Sequence, residues 1–583
     1  MSRSLAFVVP FACASSFAFA LAACGDDDAN VPPADAGVTD GAAGGGDAGA
    51  PPGVPDRYCP GSTGCADMGD GVLSVGVGKA EITPTIGPMT DVQTVDVNMN
   101  GEYDPGDGDT FADNNHNGAY DGEWIAGFGN GRAASGVRDP QWVRAIALRY
   151  DQTTIVLAAI DCIGYFRDEI EKIRARVSDA DVDFVQVTAT HVHEARDTLG
   201  IWGVTIDATG IDPAYMTRIV DQAEVAIRAA LADLRPASVQ YASLRLKDEP
   251  GGQTRYVVDA RDPYILDDEV RVMRFTDRTG GGTIATLVNW GSHPEYTWSE
   301  SQLLSSDYVH TLRQGIEDGV VGQAGTMLPG VGGTTVFFQG ALGVQIGASG
   351  PRPQAQRWDG TPVPRGPDMA YLVGEQVASF VLEALGPSGG SVTDETAALA
   401  FRSRAFLVDV QNRGYHIALL QSLFQRATYA WDPELALVPG RNEPSILTEV
   451  SIIDIGRAQI ITAPGELDPA LFLGGYQSGE YTPAGTPVVS PTGEDPPDLT
   501  IAPGPPYLRD LARSDAEYVY LFGLTGDMVG YFVPEFDYKL DPTNPYIDQA
   551  PGEHYEETNS VGIDGWPNIR RQMEGLLTWR PAP

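Results

Sequence analysis

Phe184-Val185-Gln186-Val187-Thr188-Ala189-Thr190-His191-Val192-His193 begins as an apolar run and ends in two histidines one residue apart. The run 184–187 reads as a strand and the polar residues after it as its exit. In an extended segment, residues two apart point to the same side. His191 and His193 therefore present their imidazoles together, which suits a metal ion. The same pattern recurs along the chain. The strand-like run 284–290 leads into Gly291-Ser292-His293-Pro294, and 452–461 leads into Ala463-Pro464-Gly465-Glu466. The run 518–524 leads into Gly526-Asp527-Met528-Val529-Gly530-Tyr531. Each piece alone has a plainer reading: a lone His293 as a satisfied core or surface residue, a Gly-Glu pair as a turn. His116, His310, His416 and His554 take that plain reading, with His310 after Asp307 placed to support a site rather than to form it. Further strands are expected at 154–160 and 335–338, and helices at 167–177, 212–234, 368–385 and 413–429. This alternation predicts an α/β or mixed α+β body rather than a sandwich. In open α/β sheets, ligands gather beyond the carboxyl ends of strands. The exits carrying His, His and Glu are therefore expected to meet around one ion.

The first residues read as an export signal. Arg3 opens a basic start, 5–23 is apolar, and Asp26, Asp27 and Asp28 follow. Leu21-Ala22-Ala23-Cys24 has the lipobox pattern of bacterial lipoproteins, with 1–23 removed and Cys24 acylated as a membrane anchor. An ordinary signal peptide or a single span are the alternatives. The stretch 24–56 is Asp, Ala, Gly and Pro, a tether with too little apolar bulk to offset chain entropy. The body, 57–583, is expected outside the inner membrane, at the periplasmic or outer surface. The formal charge of −41 argues against nucleic acid as a partner and favours divalent cations. Among five cysteines, Cys59 and Cys65 are expected to pair in an oxidising compartment, and Cys162 to be a buried thiol.

Residues 91–124 are rich in Asp, Asn and Gly. Asp96, Asn98 and Asn100 precede Gly101, Asp104 and Asp107; Asp113, Asn115 and Asn117 precede Gly118 and Asp121. Alternate oxygen ligands around a glycine turn are what a hard cation takes, and the spacing follows the EF-hand loop. The final acidic position is Asp107 in the first loop, and in the second it is Trp124, with Glu123 beside it. Two structural calcium loops are expected, against the plain reading of a solvated insertion.

With these blocks in place the chain resembles the catalytic domain of neutral ceramidases, zinc-dependent amidohydrolases of sphingolipid metabolism. The likeness is carried by 75–84 (Val-Gly-Val-Gly-Lys-Ala-Glu-Ile-Thr-Pro), by Gly136-Val137-Arg138-Asp139, and by Thr190 to His193. Asn289 to Pro294, Ser305-Ser306-Asp307-Tyr308, Pro464-Gly465-Glu466 and Gly523 to Tyr531 continue it. The resemblance implies a single large catalytic domain with His191, His293, Glu466 and Tyr531 as zinc ligands and His193 beside the metal. Zinc would lower the pKa of a bound water to about 7 and polarise an amide carbonyl. Three departures stand out. Glu194-Ala195-Arg196 replace the family's Ser-Gly-Pro, which makes Glu194 a further acid–base candidate. The stretch 339–347 lacks the family's serine. The chain stops soon after Tyr531, without the family's C-terminal immunoglobulin-like domain. The expected activity is zinc-dependent hydrolysis of an amide or ester, with an N-acyl lipid as the substrate class. The rivals are a catalytically silent binder of the same fold and a calcium-dependent adhesion module.

Overall fold

The strand Thr153–Ile160, TTIVLAAI, is buried at every position, as a strand covered on both faces must be. In the computed structural model, which describes residues 54–580 except 64, 66–68, 348–354, 433 and 439, it lies within a nine-stranded mixed sheet. Across that sheet run Thr334–Gln339, Thr283–Trp290, Glu269–Asp277, Arg235–Arg245, Ser74–Glu81, Trp142–Tyr150, Thr153–Ile160 and Phe184–Ala189. Val392–Asp394 pairs beside Arg235–Arg245. Two pairs are parallel, Thr153–Ile160 with Phe184–Ala189 and Thr283–Trp290 with Thr334–Gln339. Accumulated twist curls the sheet until the exits of its two edge strands meet, where Gln339 Nε2 donates to the Thr190 carbonyl at 2.9 Å.

The helix Pro213–Ala232 lies across the outer face, started by Asp212, whose carboxylate accepts from Ala214 N at 2.8 Å. It sits so close that a Cβ on Gly76 or Gly78 would come within 2.2 Å of the Ala230 or Ala226 carbonyl. The glycines of the opening strand thus permit the helix contact. Tyr308–Asp318 and Pro367–Leu385 cover the other half of that face.

A second sheet runs Arg57–Cys59, Leu399–Asp409, Ser445–Ile455, Ala458–Thr462, Tyr518–Phe522. It packs on the first through stacked rings, Phe184 on Phe401 at 4.8 Å and Phe338 on Phe522 at 4.4 Å, and Gly565–Leu577 covers its far side. Two sheets therefore face each other between helical layers. The fold class is mixed α/β as expected, but the sheet-on-sheet contact is a correction. Most of the second sheet comes after residue 398, where strands follow strands.

Two further corrections concern boundaries. The run 452–461 is two strands of a hairpin, reversed at Gly456 with φ +54°. The helix beginning at Arg413 ends at Leu420, and Ser422 at φ +58° turns the chain away. Cys59 and Cys65 form a disulfide and Cys162 is a buried free thiol. The export signal, the lipobox with Cys24 and most of the tether lie outside the described residues. Among the described residues, no helix is long and apolar enough to cross a membrane.

The segment 91–124 proves to be a duplicated unit. Short strands Val92–Val95 and Thr110–Ala112 pair antiparallel, and each runs into one Asp/Asn loop. Asp109 accepts from Val97 N and Asp104 N at 2.8 and 2.9 Å. Asp91 accepts from Asn114 N and Asp121 N at 2.8 and 3.0 Å, the same loop positions. Gly101 and Gly118 share φ near +82° and +83°.

Candidate metal centre

Thr190 ties the strand exit down: its amide donates to Ile160 O at 2.9 Å, and its hydroxyl lies 3.2 Å from Asp161 Oδ1. His191 follows at φ +67°, a conformation costly for a non-glycine residue and characteristic of functional sites. Its amide donates to Cys162 O at 2.9 Å, and its Nδ1 lies 2.6 Å from Ile163 O. His293 is held alike, its amide and Nδ1 3.0 and 2.9 Å from Gln345 O. A carbonyl oxygen only accepts, so both Nδ1 atoms carry the ring proton. Both Nε2 lone pairs then face inward.

Those lone pairs meet a carboxylate. Glu466 Oε2 lies 3.3 Å from His191 Nε2 and 3.1 Å from His293 Nε2. His193 Nε2 lies 3.4 Å from His191 Nε2, and the three imidazoles present ligand atoms within 4.8 Å of one another. Acceptors at such separations need a cation between them, a proton or a metal. Donors about 2.0–2.1 Å from a tetrahedral ion sit about 3.3 Å apart, so the observed spacings fit zinc-type coordination. Two donor sets overlap here, His191/His193/His293 and His191/His293/Glu466, and share His191 and His293.

Tyr531 is the fourth expected ligand. It pairs in parallel register with Glu466, in the short ribbon of Glu466–Leu467 and Tyr531–Phe532. Register partners share a face, which aims phenol and carboxylate the same way. The Tyr531 hydroxyl lies 3.5 Å from that of Tyr555. Burial, then the Glu466 charge, holds the Tyr531 phenol well above its usual range.

Without a cation the electrostatics are lopsided. Burial opposes ionisation of Glu466, but His191 and His293 outweigh it and bring the carboxyl down to about 2. Burial likewise opposes charging of His293, yet the bond to Glu466 and the Glu295 charge push it up to about 9. His193 goes the other way: burial, then His191, His293 and Arg132, keep it well below its usual value and hence neutral.

Glu194 is not brought to the cluster. Its carboxylate is fully buried 3.6 Å from Arg132, and neither oxygen has a hydrogen-bond partner. Burial and then Asp307 hold it well above the usual carboxylate range. Glu295 takes the place beside His193 instead, with Oε2 3.8 Å from Nδ1, and its burial raises it too. The only signal for it in the sequence is an acid two residues past His293. His310 lies 3.7 Å from Asp139 and does not touch the cluster. The serine-less stretch 339–347 is structural: Gln345 holds His293, and a Cβ on Gly343 would lie 2.8 Å from Glu466 O.

The duplicated unit leads into a wall of the site. Residues 124–126 pair with 195–197, Arg196 forms an ion pair with Glu123, and Arg132 donates to His193 O at 3.0 Å. Phe128 meets the His193 ring edge-on at 5.1 Å and Trp298 at 5.3 Å. In the loops, Asp96 accepts from Asn100 N and Gly101 N, and Asp113 from Asn117 N and Gly118 N. Asn98 Nδ2 donates to Asp107, and Asn115 and Asn117 to Asp121. The Asp104 carboxylate accepts from Gly106 N.

No family model and no curated protein matches the sequence. Solved structures do share the fold. A crystal structure of neutral ceramidase from Pseudomonas aeruginosa superposes with a TM-score of 0.55 at 14% identity, over 87% of this chain and 74% of that one. A ceramidase complexed with C2 gives 0.54 at 14%, over 88% and 77%. The chain has a ceramidase-like fold.

Proposed function

We propose that this ceramidase-like chain is a zinc-dependent hydrolase of amide or ester bonds, with an N-acyl lipid as its substrate class. The supporting observation is the set of inward lone pairs. Backbone carbonyls fix the Nδ1 protons of His191 and His293, and Glu466 stands 3.3 and 3.1 Å from the free nitrogens. His191, His293, Glu466 and Tyr531 are the residues that would hold the ion, with His193 the alternative donor. When bound, zinc supplies an activated water near neutral pH and a Lewis acid for a carbonyl. His193 is neutral at its buried position and accepts or returns a proton at Nε2. Arg132 holds its backbone and Glu295 faces its Nδ1. Phe128 packs edge-on against the His193 ring, with Trp298 against Phe128. We read Asp96 to Asp107 and Asp113 to Asp121 as structural calcium loops, and Cys24 as a lipid anchor at the cell envelope that brings the site to lipid substrate.

Metal analysis of purified protein, with His191→Ala and Glu466→Ala, tests the centre: zinc absent from the wild type, or occupancy unchanged in both variants, removes it. Turnover of a panel of N-acyl amides and esters with and without chelator tests the activity. Zinc without chelator-sensitive turnover would favour a silent binder, the reading that the lost serine supports.

A further inference from the structure

Tyr531 sits on a short ribbon, and its backbone is held from outside that ribbon. Its amide donates to Asn559 O at 3.0 Å, and the Tyr415 hydroxyl donates to the same oxygen at 2.7 Å. The approach is close: a Cβ on the adjoining Gly530 would lie 2.1 Å from Asn559 O. Asn559 closes the four-residue helix Tyr555–Thr558, its amide donating to Glu556 O at 3.0 Å. A single helical turn has little stability of its own, so what fixes this one must come through its side chains.

Those side chains meet Arg261. Its Nη1 donates to Glu556 Oε2 at 2.8 Å and to Glu557 Oε2 at 3.1 Å, and Nη2 donates to Glu557 Oε1 at 3.0 Å. On the other edge, Nε and Nη2 donate to Asp537 Oδ2 at 2.9 and 2.6 Å. A guanidinium has five N–H donors, and here all five face three carboxylates. Arg261 and the three acids are buried.

The backbone of Arg261 belongs to the His293 side. It follows the strand Val257–Asp259, which pairs with Gln345–Gly347 and sets Asp259 opposite Gln345. Ala260 N donates to Val344 O at 2.9 Å, and Arg261 N donates to the Asp259 carboxylate at 3.1 Å. Gln345 O is the oxygen that holds His293. One guanidinium thus joins the ribbon that orients His293 to the turn that holds Tyr531.

We propose that Arg261 is a positioning residue of the zinc centre, its planar fork setting the reach of Tyr531 from His293. The proposal rests on the reading of Tyr531 as a zinc ligand and extends it to a residue that touches neither ion nor substrate. A lysine keeps the positive charge but has three donors and no fork, so it cannot hold both edges at once. Arg261→Lys should therefore leave His191, His293 and Glu466 in place and let Tyr531 drift out.

Zinc titration of the metal-free full chain, followed by near-ultraviolet difference absorbance, tests it. The wild type should take up one zinc per chain and gain a phenolate band that Tyr531→Phe abolishes. Arg261→Lys should still take up one zinc, with most of the band lost. Arg174→Lys is the control: it breaks another buried fork, to Glu449 at 3.0 and 2.7 Å, outside the chain of bonds that leads to Tyr531, and should keep the whole band. A full band in Arg261→Lys, or equal loss in the two lysine variants, would overturn the proposal while Tyr531 stays a ligand. No band in the wild type would remove Tyr531 from the centre and the proposal with it. If Arg261→Lys fails to fold, Glu557→Gln carries the test: it leaves one oxygen of the fork, and a wild-type band there overturns the proposal.

Discussion

Gly127→Ala drives a methyl group into His193. Gly127 has φ +99°, and a Cβ there would meet His193 Cγ at 2.5 Å and Nδ1 at 2.6 Å. Apolar contacts settle nearer 4 Å, so the ring must retreat by about 1 Å or more. Gly118 provides the control. It has φ +83° with nothing within 4 Å of the added Cβ, so Gly118→Ala carries backbone strain alone, about 1 kcal/mol. Gly127→Ala carries similar strain plus overpacking of about 1–3 kcal/mol. Urea unfolding should therefore show Gly127→Ala less stable than Gly118→Ala by that overpacking amount. A displacement of about 1 Å at a proton-handling group costs about a hundredfold in turnover, so chelator-sensitive hydrolysis should fall by that factor in Gly127→Ala and hold in Gly118→Ala. If the two variants unfold alike and turn over alike, Gly127 does not position His193 and the assigned role of that ring is wrong.

In the metal-free protein the Glu466–His293 contact should contribute most between pH 4.5 and 6.5. Glu466 is lowered from 4.5 to about 2, so its contribution is present above 4.5 and lost as pH falls through about 2. His293 is raised from 6.5 to about 9, so its contribution is full below 6.5 and lost as pH rises through about 9. Both report one contact, worth about 3 kcal/mol; urea midpoints whose pH dependence from 6 to 10 is the same in the wild type and in His293→Ala would contradict it. Excess zinc should raise the melting temperature of that protein, by the equivalent of about 4 kcal/mol at a thousandfold excess over Kd, and raise it little in His293→Ala; equal shifts would point to binding elsewhere. Arg174→Met strands Glu449, a buried partner at 2.7 Å, and should cost about 3–5 kcal/mol in urea unfolding. A loss under about 1 kcal/mol would mean that water reaches Glu449. Burial raises the Cys162 thiol, so iodoacetamide at pH 8 should leave its peptide unmodified until denaturant is added.

The clustering of His191, His193, His293 and Glu466 was legible because its signal is local: each follows an apolar run, and an exit after a strand is visible in a few residues. Tyr531 was legible only through family likeness, since a tyrosine after Gly530 has no distinguishing pattern of its own. Its pairing with Glu466 depends on two segments far apart in the chain. Glu295 was missed and Glu194 favoured for the same reason. Which acid reaches His193 is decided by how residues 124–132 hold the backbone around His193, a tertiary matter. The loops at Asp96 and Asp113 were visible as a repeat, but the clamps from Asp91 and Asp109 lie outside the motif. The facing sheets were hidden because alternation shows which elements form and not which faces meet.

The donors come from opposite sheets: His191 and His293 leave the nine-stranded sheet, while Glu466 follows the five-stranded one and pairs with Tyr531. The set that includes Glu466 and Tyr531 needs both sheets. Synthesis delivers the histidines long before the carboxylate and phenol, and contacts so distant in sequence form slowly. In the proposed centre, completion of the His191/His293/Glu466 set is thus tied to the last stage of assembly. A chain cut short before Glu466 would keep the three clustered histidines and lose the carboxylate and the phenol, so it is the set with Glu466 and Tyr531 that marks completed folding.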